Sequence, residues 1–160
     1  MNQRQNRIVV GVDGTEAGRR ALAWALGEAR AHQAVLEVVH AWSFDAMTDL
    51  AFTSSEHQHE ASVGLLAAEL AEVTRGQTDL PPIVTHSRQG APAGVLVKAA
   101  EDALLLVVGA HKGGLFREVL LGSVSGACVR HSRGPVVVVP PERVRVPERA
   151  EGAPPVGVMY

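Results

Sequence analysis

Five short apolar runs, each separated from the next by a longer segment of helical pattern, constrain this chain more than any other feature. They are IVVGV (8–12), AVLEVVHA (34–41), PIVTHS (82–87), LLLVVG (104–109) and PVVVV (135–139). Runs of this length, rich in β-branched residues and leucine, suit strands buried on both faces. Between them, apolar residues recur at helical spacing. Thr15 is placed to cap a helix through about Ala31, with Leu22, Leu26 and Ala29 on one face. Ser54 or Ser55 opens a second helix, whose stripe is Leu66, Leu70 and Val73. Pro92 suits the first position of a third, which carries Val95, Leu96 and Ala99. Ser123 can cap a fourth through about His131, stopped by Gly134 and Pro135. The order β-α-β-α-β-α-β-α-β predicts an α/β fold, an open five-stranded parallel sheet with helices on both faces. Its crossovers should be right-handed.

Composition narrows the class. Hydrophobic residues make up 46% of the 160 and aromatics 4%, so the core must be aliphatic. A net charge of −2 supplies no basic field to recruit nucleic acid or anionic lipid. Cys128 is the single cysteine, so no intrachain disulfide can form, which fits a reducing compartment. The opening MNQRQNRIVVGV has too short an apolar run for a signal peptide, and no stretch approaches the ~18 apolar residues of a membrane span. The expectation is a cytoplasmic domain over residues 1–140. Residues 141–160 read as a flexible Pro-rich tail, because five of the nine prolines fall in the last 21 residues. The longest core loop, 43–53, is a candidate flap.

Two loops follow strands at their carboxyl ends. One is Asp13-Gly14-Thr15; the other runs from Gly109 to Gly122 and closes on Ser123 and Ser125. In an open α/β sheet, ligands bind where neighbouring crossovers diverge. If the first and fourth strands are neighbours, both loops border that crevice. Glycines let backbone N–H groups approach phosphate oxygens, and a helix start favours anions. On spacing alone two readings stand: phosphate binding, or glycines that serve only turns. The Walker A pattern and G-x-G-x-x-G are absent, which argues against P-loop and dinucleotide sites.

These residues resemble the universal stress protein family over roughly 7–140. Its ATP-binding members carry Gly, two residues, Gly, nine residues, then Gly-Ser or Gly-Thr. Gly109 fits the first glycine and Gly122-Ser123 the end, while VVGVDGT is similar to the family's opening strand and Asp loop. The resemblance implies a strand order of 3-2-1-4-5 and ATP as the ligand, with Mg²⁺. It also implies a homodimer formed by antiparallel pairing of the last strand, Pro135 through Val139, and a regulatory role in stress. Asp13 and Thr15 would face the adenine end and Ala41 the base, while Ser125 would meet phosphate. The candidate binding residues are Asp13, Gly14, Thr15, Ala41, Gly109, His111, Lys112, Gly113, Gly122, Ser123, Val124 and Ser125. One position departs: Lys112 stands where the second glycine belongs. If that backbone needs positive φ, lysine costs ~1–2 kcal/mol there. Either its ammonium replaces a backbone donor, or the loop shifts and Gly113 takes the turn. A nucleotide-free dimer, a cyclic-nucleotide binder and a slow ATPase remain the alternatives.

Other signals have plainer readings. His57 and His59 lie two apart and so on different helix faces, which favours a solvated helix start over a metal site. A receiver-type phospho-acceptor would follow the third strand, whereas Asp13 follows the first. His40 reads as a hydrogen-bonded core histidine, and Arg117 and Glu118 as a solvated loop face. No nucleophile–base pair or paired carboxylate emerges, so the chain reads as a holder of nucleotides more than as a catalyst.

Overall fold

The computed structural model describes residues 6–44, 54–112 and 119–142. Five strands form one parallel sheet: β1 (Arg7–Gly11), β2 (Val35–Trp42), β3 (Ile83–Gln89), β4 (Leu105–Gly109) and β7 (Val136–Val139). Their order is β3-β2-β1-β4-β7, which is 3-2-1-4-5 when only the strands of this sheet are counted. Two strands the sequence did not suggest, β5 (His111–Lys112) and β6 (Val119–Leu120), pair antiparallel within the long loop after β4. The helices are α1 (Glu16–Ala31), α2 (Ser55–Thr74), α3 (Pro92–Ala99) and α4 (Ser123–His131).

The alternation of side chains along a strand splits the apolar runs between two cores. Ile8, Val10, Leu36, Val38 and Val107 pack with Leu22, Leu26 and Leu66 under α1 and α2. Val9, Val39, Leu106 and Val108 pack with Leu96 and Cys128 under α3 and α4. Both faces of the central strands are therefore dry, as the unbroken valine and leucine runs require. Burial pushes the Cys128 thiol above its usual range, so it stays protonated and packs as a small apolar group.

The helix starts differ in a way that matters for the site. Thr15 caps α1 by accepting from the Gly18 amide, and Ser54 caps α2 by accepting from the His57 amide. The fourth start corrects the expectation for Ser123. The cap is Gly122, Ser123 is already helical, and no side chain caps α4. No helix among the described residues is long and apolar enough to cross a membrane. The candidate flap beyond residue 44, the tail beyond residue 142, and Gly113, Arg117 and Glu118 lie outside the described residues.

Candidate functional site

β1 and β4 pair side by side, with Val10 opposite Val107, so their carboxyl ends open into the same crevice. At the β1 end, Asp13 Oδ1 accepts from the Thr15 amide at 3.1 Å and from the Thr15 hydroxyl. This is an Asx turn, and Gly14 at its centre has φ +77°, a conformation that suits glycine. Gly18 lets the first turn of α1 tuck beneath, since a β-carbon there would sit 2.8 Å from Asp13 Oδ1. Arg19 ties the loop to α2, donating to the Gly14 carbonyl at 3.4 Å and pairing with Glu69 at 3.0 Å.

At the β4 end, Arg20 donates to the Ala110 carbonyl at 3.3 Å and pairs with Glu16 at 3.1 Å, pinning the root of the long loop to α1. His111 Nε2 lies 3.8 Å from Asp13 Oδ2, so the two loops face each other through an imidazole and a carboxylate, each about half exposed. Lys112 lies in β5 opposite Val119. A ladder position is extended backbone, so lysine stands there without the left-handed conformation that a turn glycine would serve. Beyond β6, Gly122 leads into α4. Helix geometry leaves the amides of Ser123, Val124 and Ser125 without intrahelical partners, and among the described residues no side chain caps them.

Between the two ends lies a cleft of ≈ 280 Å³. Of the residues singled out from sequence, Asp13, Ala41, Gly109, His111, Gly122, Ser123, Val124 and Ser125 line it. Gly14 and Thr15 do not: the glycine serves the turn, and the threonine hydroxyl is committed to Asp13 and to the cap of α1. Ser125 is also committed in part. It is 3% exposed, and its hydroxyl donates to the Gly122 carbonyl at 3.2 Å.

The apolar part of the lining was largely missed. Val39 stands on the same strand face as Ala41, a relation that the period of two could have flagged. Pro92 and Leu96 of α3 reach the cleft from the opposite layer, and nothing local in the sequence announces that. Among the described residues, no group of three or more His, Cys, Asp or Glu side chains could hold a metal ion.

Beside the cleft, a polar chain crosses from β2 to β3. His40 Nδ1 lies 2.7 Å from Ser62 Oγ, Ser87 donates to Ser62 at 2.7 Å, and Trp42 Nε1 donates to Ser87 at 2.9 Å. His59 joins through Ser87 at 3.1 Å, which gives that histidine a partner inside the protein. Burial holds the His40 imidazole below the usual histidine range, and the nearby Asp13 carboxylate offsets this in part. The sign follows. As pH falls through the unfolded value of 6.5, the unfolded chain takes up this proton before the folded one does. The contribution of neutral His40 is therefore full above that pH and shrinks towards the lower folded value. Thermal melts between pH 7.5 and 5.5 should show a falling midpoint with a shallower slope in His40→Asn, whose amide can still meet Ser62. Equal slopes would remove His40 from the acid response.

The fold and crevice define a doubly wound α/β domain of the kind that holds ligands at a topological switch point. The family model described as "Universal stress protein family" matches residues 5–140, and the chain belongs to that family. It is 37% identical over 134 residues to universal stress protein Rv2005c of Mycobacterium tuberculosis, covering 82% of this chain and 44% of that one. The chain spans about half the length of the curated relatives it matches. Among solved structures, a universal stress protein from Archaeoglobus fulgidus superposes with a TM-score of 0.67 at 24% identity, covering 83% of this chain and 97% of that one. A universal stress protein solved in complex with cAMP gives 0.65 at 26% identity, covering 84% and 96%.

Proposed function

We propose that the cleft binds an adenine nucleotide, ATP carried with Mg²⁺, and that the protein acts as a regulatory stress-response protein. The observation that carries this is the bare start of α4. Gly122 caps that helix without a side chain, and the cleft lies directly against it. Uncapped amides at the positive end of a helix dipole suit a phosphate. The starts of α1 and α2 are closed by Thr15 and Ser54. That of α3, at Ala91, has no side-chain cap either, but its first position is Pro92, which has no amide hydrogen to donate, so α4 presents the fuller set of free donors to the cleft. The Ser123 hydroxyl adds a donor, while Ala41 and the edge of Leu96 offer apolar surface for a base. Asp13 keeps Oδ2 for an amino or hydroxyl group, since Oδ1 is spent on its own turn. The chain offers no cage for a metal among its described residues, so Mg²⁺ would come on the phosphates, with Asp13 the one carboxylate lining the cleft.

A second reading, a cyclic nucleotide in the same cleft, is favoured by the likeness to the protein solved with cAMP. A homodimer through β7 belongs to the same proposal. Among the described residues that strand ends the sheet, its four valines are only half-buried, and a sheet edge of this kind accepts another strand. A cytoplasmic setting agrees with the free buried Cys128.

Calorimetry with ATP, ADP, AMP and cAMP, each with and without Mg²⁺, tests the reading. One ATP per chain, bound more tightly with Mg²⁺, is the expected result. Binding of cAMP alone would turn the assignment to the second reading, and no heat from any of them at millimolar concentration would overturn both. Sedimentation of the same samples reads the dimer.

A further inference from the structure

The face of the sheet that α3 covers carries a second concavity, about twice the size of the first, at ≈ 560 Å³. It lies within the range of small-molecule sites. Its floor is Glu37 and Val39 of β2; one wall is His86 and Arg88 of β3, and the other is Val95, Lys98 and Ala99 of α3. The groove exists because α3 and α4 stop short of the sheet edge. Val84, on the same strand face as His86 and Arg88, is left 43% exposed. Val39 and α3 separate it from the nucleotide cleft, so the two open on different sides of a shared wall.

The charges in this groove do not cancel. Glu37 is the one carboxylate lining it, and Arg7 holds it at 2.8 Å. Arg7 is fixed in turn by the carbonyls of Ala99 at 2.8 Å and Glu101 at 2.6 Å. That pair is internally neutral. Arg88 and Lys98 are exposed on opposite walls, and neither has a carboxylate partner among the described residues. Arg88 rests only on His86 Nδ1, at 3.4 Å. Two cations are therefore uncompensated in a concave site, on a chain whose net charge is −2. Beneath them Val95 and Ala99, both only partly buried, present apolar surface, with the buried Val39 behind them. A patch of cations over an apolar floor, on an otherwise acidic protein, concentrates anions there.

We propose that this groove is a second ligand site, for a small organic anion whose carboxylate or phosphate meets Arg88 and Lys98 and whose apolar body rests on Val95 and Ala99. It stands independently of the nucleotide reading. The test is an amide chemical-shift titration of the full chain with 2-naphthyl phosphate and with 2-naphthoate, using uncharged 2-naphthol as control. Saturable shifts should appear at His86, Arg88, Gln89 and Lys98, apart from any at Gly109 and Ser123, which report the cleft. Whichever anion binds more tightly names the headgroup. The double variant Arg88→Gln, Lys98→Gln removes two exposed charges and one long, exposed contact to His86, so its spectrum should keep the native dispersion. Its affinity for both anions should fall about tenfold or more, with the cleft shifts unchanged. Shifts confined to the cleft would overturn the proposal. So would equal affinity in the double variant, or 2-naphthol binding as tightly as the anions.

Discussion

Gly109→Ala should lower stability by about 2–3 kcal/mol, the upper part of the range for forcing an extra carbon into a packed core. Gly109 ends β4 directly under α1. A β-carbon there would lie 2.6 Å from the Ala17 carbonyl carbon, nearer still to its oxygen, and 3.1 Å from the Ala17 side chain. The obstacle is backbone, and the helix that carries it is pinned by Arg20 to Ala110 and by Arg19 to Glu69. Neither α1 nor β4 can give way without moving the other. The midpoint of thermal unfolding should drop by roughly 5–10 °C for a chain of this size. Nucleotide affinity should fall as well, because Ala17 and Gly109 both line the cleft. An unchanged midpoint would mean that α1 rides freely over β4.

That first glycine shows what was and was not legible in the sequence. Runs such as IVVGV and LLLVVG carry their strands openly, because a strand buried on both faces needs apolar residues at every position. The resemblance supplied the sheet order, which no run by itself specifies. Helix bounds were legible where a side chain closes the end, as at Thr15 and Ser54, and slipped at α4, where a glycine does so. The β5–β6 hairpin was not legible, since ladders of two residues leave no periodicity to detect. In the site, the polar residues were legible by spacing. Their allegiances were not: Thr15 answers to Asp13, and Ser125 to the Gly122 carbonyl, because hydrogen-bond geometry within a turn is settled in space. Leu96 and Pro92 were hidden for a different reason, since a residue's place over a distant strand has no local signature.

Gly122→Val should leave the fold nearly intact and weaken nucleotide binding about thirtyfold, the equivalent of losing ~2 kcal/mol of hydrogen bonding to a charged group. The two ends of the motif are both glycine for opposite reasons. Gly122 has φ −63° and ψ 171°, an extended conformation open to any residue. A β-carbon there would meet nothing nearer than Ser125 Oγ at 3.8 Å and His111 Cδ2 at 3.9 Å. The folded chain itself has no packing need for a glycine at this place. The stability lost should stay under about 1 kcal/mol, the difference between glycine and a poor residue at a helix cap. What a valine would fill is the space in front of the uncapped amides of Ser123 and Val124, where the phosphates are proposed to sit. Calorimetry on Gly122→Val and Gly109→Ala separates the two roles, the first losing affinity at nearly constant melting temperature and the second losing both. Wild-type affinity in a well-folded Gly122→Val would remove the phosphates from α4 and with them the nucleotide assignment of the cleft.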